Sequence, residues 1–188
     1  MRADAERRRQ NIITHAKHVF AERGGDVALE AVAAASGVGI ATLYRNFPSR
    51  EDLLQAVVQD TVEQIIRAVD HARRTLDADP DGAWQDLLSS LTAMNLGALT
   101  DGLALQAGAA QDLAASPLAQ VQQPALDALN GVLAKLKRYG AVRETLSALD
   151  VIVSVATITR PQVSAIRGAA PGVPGQLAEA YFHWSRGA

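Results

Sequence analysis

Thr42, Tyr44, Arg45 and Asn46 bring four different hydrogen-bonding side chains into five residues, a set suited to nucleic acid. Hydroxyl and amide groups bond phosphate oxygens, a guanidinium reaches guanine O6 and N7 together, and a threonine methyl packs against thymine. Leu43 and Phe47 lie four apart within the same stretch. A short helix from Ile40 to Phe47 therefore buries that pair and turns the polar set toward a partner. Ahead of the first apolar turn, Arg7, Arg8 and Arg9 form a basic run. It reads either as a solvated helix start or as a contact to DNA backbone or minor groove.

The elements that must position this helix are legible around it. Ala28 to Ser36 read as a preceding helix with Leu29, Val32 and Ala33 on its buried stripe. Gly37 supplies a positive φ that stops it, Val38 plugs the angle, and Gly39 opens the second helix at a position glycine tolerates. Pro48 blocks continuation, and Ser49 with Asp52 forms a capping box for a long helix from Arg50 to about Leu76. Upstream, Ile12, Ile13, Ala16, Val19 and Phe20 mark the apolar stripe of a helix from about Ala5 to Arg23, ended by Gly24 and Gly25. Two helices joined by a tight glycine turn, the second carrying the polar set, make a helix-turn-helix whose second helix fits a major groove.

The run from Ser36 to Leu54, with Thr-Leu-Tyr-x-x-Phe at 42–47 and Pro-Ser-Arg-Glu at 48–51, resembles the DNA-binding region of the tetracycline-repressor (TetR) family. The likeness is strong over residues 6–64 and architectural beyond. It implies an all-α protein with an N-terminal three-helix DNA-binding domain over 6–64, helix-turn-helix proper 28–47, and a helical ligand-binding and dimerisation domain over 65–188. It also implies Gly39, Ile40, Thr42, Tyr44, Arg45, Asn46 and Arg50 as the DNA-binding set, with Tyr44 and Arg50 toward phosphates and Arg45 a candidate base reader. Ala28 and Gly39 stand where the family usually carries Thr or Ser, and Asn46 where His is commoner.

Net charge over the 188 residues is only −2, but residues 1–50 hold eight Lys and Arg against five acids, and the remainder ten against fifteen. A basic head on an acidic body suits a protein of which only one end approaches phosphates. Cysteine is absent, which excludes disulfides, thiolate catalysis and cysteine-based metal sites. No apolar run approaches the ~20 residues a bilayer demands. With a polar N-terminus, this makes a cytoplasmic location and no membrane partner the expectation.

Beyond the head the pattern stays helical. A turn at Asp77–Gly82 precedes a helix from Gly82 to Leu99 carrying Trp84, Leu87, Leu88, Leu91, Met94 and Ala98, the last small enough for close helix approach. An alanine-rich helix over 102–115 follows. A long one from Pro117 to about Gly140 is expected to kink or restart at Pro124. Ser147 with Asp150 caps a segment from Leu149 to Ile158, apolar all round, whose alternating valines imitate a strand. Gly168–Gly175 reads as a loop, and the last helix, Gln176–Ser185, spaces Leu177, Tyr181 and Trp184 along one stripe.

Two further surfaces are expected. Trp84, Leu88, Leu91, Met94 and Gln106 are candidates for a pocket between body helices, although a tryptophan and methionine on one face are commonly plain core; the family resemblance implies a small-molecule effector, and the scarcity of polar residues on the apolar stripes makes it an apolar one. Ile152, Val155, Leu177, Tyr181 and Trp184 are candidates for a homodimer interface of two helices per subunit, arranged as the resemblance implies. His15 and His18 share a metal-compatible spacing, but no carboxylate or cysteine completes a site, so no metal is expected. No phosphate loop, nucleophile elbow or zinc-protease helix occurs, so no catalytic residue and no cofactor are expected. The reading is a sequence-specific regulator of transcription, a ligand-released repressor acting as a homodimer on a palindromic operator of double-stranded DNA. The alternative is a helical small-molecule-binding protein with a degenerate head.

Overall fold

In the computed structural model, residues 2–23, 27–97, 117–160, 162 and 164–187 are described, and their regular elements are all α-helices. The head is built from α1 (Arg2–Arg23), α2 (Leu29–Ala35), α3 (Ile40–Asn46) and the first turns of α4 (Arg50–Thr75). Its core gathers Ile12, Ile13, Ala16 and Phe20 of α1, Val32 of α2, Leu43 and Phe47 around α3, and Leu53, Leu54 and Val57 of α4. The amphipathic stripes of four short segments thus share one centre. The α1 helix starts three residues earlier than its apolar pattern requires, because Asp4 sits in the first turn and pairs with Arg7 at 2.6 Å.

The turn between α2 and α3 is a Schellman motif. Gly37 has φ +68°, its N–H bonds the carbonyl of Ala34, and the Val38 N–H bonds that of Ala33. The α4 capping box is formed in both directions, with the Ser49 hydroxyl accepting from the Asp52 N–H and the Asp52 carboxylate accepting from the Ser49 N–H. By contrast, neither Ala28 nor Gly39 supplies a side-chain cap to the helix it opens.

The body core begins where the head core stops along α4. Val58, Val62, Ile65, Val69 and Leu76 pack with α5 (Pro80–Ala93), α6 (Pro117–Arg138) and α7 (Ala148–Ile158). Two further helices, α8 (Ser164–Ala169) and α9 (Val173–Ser185), follow. Arg73 of α4 donates to the Ala128 carbonyl of α6 at 3.2 Å, fixing the register of that helix pair.

Several boundaries differ from expectation for local reasons. Helix α5 opens at Pro80, not Gly82, because Asp79 caps it by accepting from the Gly82 N–H, and proline is suited to a first helical turn. It ends at Ala93 rather than Leu99: Asn95 adopts φ 53°, a conformation that closes the helix. The close approach of backbones falls on Gly97, where a Cβ would collide with the carbonyl of Ala156 and the backbone of Arg160, and whose N–H donates to Thr159 Oγ1 at 3.0 Å. Ala98 and the alanine-rich stretch over 102–115 lie outside the described residues. Helix α6 runs through Pro124 without interruption. Residues 148–158 are helical, not extended, and Ser147 with Asp150 caps them as a complete box. The expected loop at Gly168–Gly175 shrinks to Ala170–Gly172, since Pro174 is again tolerated in the first turn of α9.

Candidate nucleic-acid interface

Helix α3 presents its residues in two sets. Leu43 is wholly buried, as is Phe47 just past the helix end, while Ile40 packs half-buried against the head core. Tyr44, 45% exposed, projects outward with Arg45 beside it. Thr42 and Asn46 are half-buried on the flank. Their hydrogen bonds are internal to the helix. Arg45 donates through Nη2 to Thr42 Oγ1 at 2.9 Å and through Nε to the Ala41 carbonyl, so its guanidinium lies back along α3. Asn46 donates to the Thr42 carbonyl at 2.8 Å. The helix therefore carries an ordered polar edge whose outer hydroxyl, that of Tyr44, is open to a partner.

The three arginines of α1 separate into three environments. Arg7 is neutralised by Asp4, which that guanidinium holds below the ordinary carboxylate range. Arg9 lies 4.9 Å over the Phe47 ring, a cation–π contact that packs the start of α1 against the end of α3. Arg8 lines a concavity of about 600 Å³ together with Gly39, Thr42, Arg45 and Asn46. No run of like residues reveals such a division, because it depends on where α3 crosses α1.

Arg50 is half-buried and donates to the Val27 carbonyl, tying the start of α4 to the segment entering α2. Asn11 of α1 donates to the Ser36 carbonyl at 2.8 Å and holds the other end of α2. Both are positioning contacts that the polar character of these residues alone did not reveal. A larger omission of the sequence reading is Asp60. Its carboxylate pairs with Lys17 and accepts from Gln10 and Gln64, each at 2.8 Å. Burial pushes its pKa up, but the bonds from Lys17 and Gln10 outweigh that and leave it lowered. Burial lowers the Lys17 pKa, Asp60 opposing. The cluster sits where α4 passes from head core to body core, and joins α1 to that point.

In the body, Trp84 and Leu91 are enclosed core side chains. The Trp84 indole N–H donates to Ser185 Oγ at 2.9 Å, and that hydroxyl donates to the Phe182 carbonyl. Leu88 lines a groove of about 550 Å³ between α5 and α9, with Gln85, Ser89, Thr92 and Phe182. Met94 packs half-buried against the body core, and Gln106 lies outside the described residues. A second groove of about 390 Å³ runs from Ala21 of α1 past Thr92 and Asn95 to Thr157 and Leu177, touching head and body at once.

The large exposed apolar residues are Leu149 and Val153 of α7, and Val173, Leu177 and Trp184 of α9. Val155 faces the other way, wholly buried, and Ile152 is half-buried against the core. The register of α7 therefore differs from the sequence expectation by a rotation: Ala148, Val151 and Val155 take the inner stripe. Tyr181 is half-buried, stacked on Trp184 at 5.6 Å, and its hydroxyl is enclosed near Ser154 without a well-formed hydrogen bond. Among the described residues no group of three His, Cys, Asp or Glu side chains converges as metal ligands, and no helix is long and apolar enough to cross a membrane.

This geometry has relatives. Residues 12–57 match the tetR family of bacterial regulatory proteins. Over 67 residues the chain is 39% identical to an HTH-type transcriptional regulator of Staphylococcus aureus, a match spanning 34% of this chain and only 35% of that protein's length. The TetR transcriptional regulator SCO0520 of Streptomyces coelicolor superposes with a TM-score of 0.63 at 26% identity, over 96% of this chain and 99% of its own. The TetR transcription regulatory protein of Mycobacterium vanbaalenii gives 0.61 at 26% identity over 98% of both chains. The TetR-like regulator LfrR of Mycobacterium smegmatis, solved in complex with proflavine, shares the fold at a TM-score of 0.66 and 24% identity, over 94% of this chain and 93% of its own. With the helix-turn-helix, the linking α4 and the helical body in one arrangement, the chain shares the fold of these TetR transcriptional regulators, and its residues 12–57 carry the match to the tetR family of bacterial regulatory proteins.

Proposed function

We propose that the chain is a transcriptional repressor that binds a palindromic operator as a homodimer and leaves it when a small apolar molecule occupies the body. The observation that carries the DNA-binding part is the orientation of α3: Leu43 and Phe47 anchor it inward, while Tyr44 and Arg45 face out beside a basic α1. A helix so mounted can enter a major groove with its polar edge against the bases and backbone.

The dimer part is supported by Leu149, Val153, Leu177 and Trp184, four large apolar side chains exposed on two neighbouring helices. Paired with their symmetry copies, they would form a four-helix interface and set the two recognition helices at a fixed separation. The effector part is supported by the groove reaching from Ala21 to Leu177, since an occupant there would touch head and body together. Such a ligand releases DNA only to the extent that it prefers a head geometry mismatched to the half-sites. Proflavine is bound by LfrR, a protein sharing this fold, and is the first compound to try here.

A selection of genomic fragments by the full chain, repeated with candidate ligands, is the test. The expected outcome is recovery of a two-fold symmetric sequence and its loss on addition of one class of ligand. Failure to retain any fragment at low salt would favour the alternative, a ligand-binding protein whose head, lacking side-chain caps at Ala28 and Gly39, has lost DNA recognition.

A further inference from the structure

Arg8 and Arg45 belong to different helices yet line one concavity, and Arg8, within the field of Asp4, makes no hydrogen bond or close ion pair among the described residues. Its neighbours in sequence are both engaged, Arg7 by Asp4 and Arg9 by the Phe47 ring. Gly39 adds only backbone to the same lining, and even a Cβ there would find nothing within 4 Å. The opening, about 600 Å³, admits a tetrahedral anion with the sugar attached to it. The rest of its lining is Gly37, Val38, Thr42 and Asn46, of which Thr42 and Asn46 form hydrogen bonds and none is acidic. Two planar cations facing one polar hollow with no carboxylate in its lining form a site for a phosphodiester, which accepts bidentate bonds from each.

We propose that a DNA backbone phosphate is clamped here between Arg8 of α1 and Arg45 of α3, with Thr42 as a positioning residue that holds Arg45 in place. This rests on the DNA-binding reading and changes the role of Arg45 within it. An arginine extended from α3 would read a guanine, whereas one folded back onto Thr42 Oγ1 and the Ala41 carbonyl is aimed along the helix toward Gly39 and Arg8. The hollow also explains how the head manages with glycine at position 39. The hydroxyl missing there is replaced by two charges arriving from either side.

The test compares full-length wild type with R8A, R45A, the double variant, T42V and T42S. Each is titrated by fluorescence anisotropy against a selected fragment and an unrelated duplex, over a range of salt. Both single arginine variants should lose affinity for the two duplexes by the same factor. Each should make the slope of log affinity against log salt shallower by up to about 0.9, the value of one phosphate contact. The double variant should lose less than the product of the single losses, because both side chains serve one phosphate. T42V should reproduce part of the R45A loss, and T42S should restore wild-type binding. Unchanged binding by R8A, or an R45A loss confined to the selected fragment, would overturn the clamp while leaving the DNA-binding reading intact. A wild-type chain that binds neither duplex at low salt would overturn both.

Discussion

Removing the carboxylate of Asp60 should destabilise the chain more than loss of any surface ion pair, and the effect should depend on Lys17. The two side chains are only 11% and 17% exposed, against 43–78% for the Arg7–Asp4, Arg73–Asp70 and Arg67–Glu63 pairs. Exposed pairs contribute about 0–1 kcal/mol, whereas breaking a fully buried one costs about 3–5 kcal/mol because the remaining charge is stranded. Asp60→Leu strands the Lys17 ammonium and takes the acceptor from Gln10 and Gln64 as well, so a loss of about 3 kcal/mol is expected. Lys17→Met leaves Asp60 with both glutamine amides and should cost about 1 kcal/mol. The double variant should lie about 2 kcal/mol below wild type, giving a coupling of about 2 kcal/mol. Urea unfolding at pH 7 supplies the four stabilities.

An acid titration supplies the sign. Asp60 has a lowered pKa in the folded chain, so the unfolded chain binds the extra proton below about pH 4. Its stabilisation is present above that pH and is lost as pH falls through the folded value, and Asp60→Leu should lack that part of the acid loss. Additive single variants, with a coupling under about 0.5 kcal/mol, would refute the claim that this cluster fastens α1 to α4.

Three further outcomes are expected. Gly37→Ala should destabilise by about 1 kcal/mol, because φ is +68° there although space is free, whereas Gly39→Ser, at φ −70° in a cap position, should be neutral or stabilising by up to about 1 kcal/mol; urea midpoints distinguish them. Tyr44→Phe should leave thermal unfolding unchanged and weaken operator binding by about 1 kcal/mol in anisotropy titrations. Val153→Glu should yield folded monomers in sedimentation, while Val155→Glu, buried in the body core, should fail to fold by circular dichroism.

The head was legible because its signals are local and each has one physical meaning. Gly37 can turn where other residues are strained, Pro48 cannot continue a helix, and Ser49 with Asp52 can satisfy each other's backbone donors. Leu43 and Phe47, four apart, were the pair of apolar residues that so short a helix could bury together. The body was legible only as helices. In α7 almost every position is apolar, so periodicity cannot distinguish the face carrying Leu149 and Val153 from the one carrying Val151 and Val155; the neighbours decide, and they are remote in sequence. Trp84 was a pocket candidate of a kind more often found in plain core, and its partner, Ser185, lies 101 residues away. Sequence separation hides Asp60 too, an ordinary helical aspartate until α1 brings Lys17 and Gln10 against it. The helix limits near Pro80 and Asn95 were missed because a proline at a first turn and an asparagine at positive φ reverse what those residues signal elsewhere.

The bond from Trp84 to Ser185 also sets an order of events during synthesis. Every residue of the head core lies between Ile12 and Val57, so the head can close as soon as that stretch leaves the ribosome. The body cannot: its buried tryptophan has its hydroxyl partner only when Ser185 arrives, and the Arg143 N–H waits for the carbonyl of the same residue. At bacterial elongation rates the intervening ~130 residues take on the order of ten seconds. Until α5 and α6 emerge to cover them, Val62, Ile65 and Val69 of α4 extend from a finished head as an uncovered apolar stripe. The nascent chain therefore passes through a state that has its DNA-reading surface but a sticky, half-built body, and that stretch of α4 is where a chaperone would have to hold it.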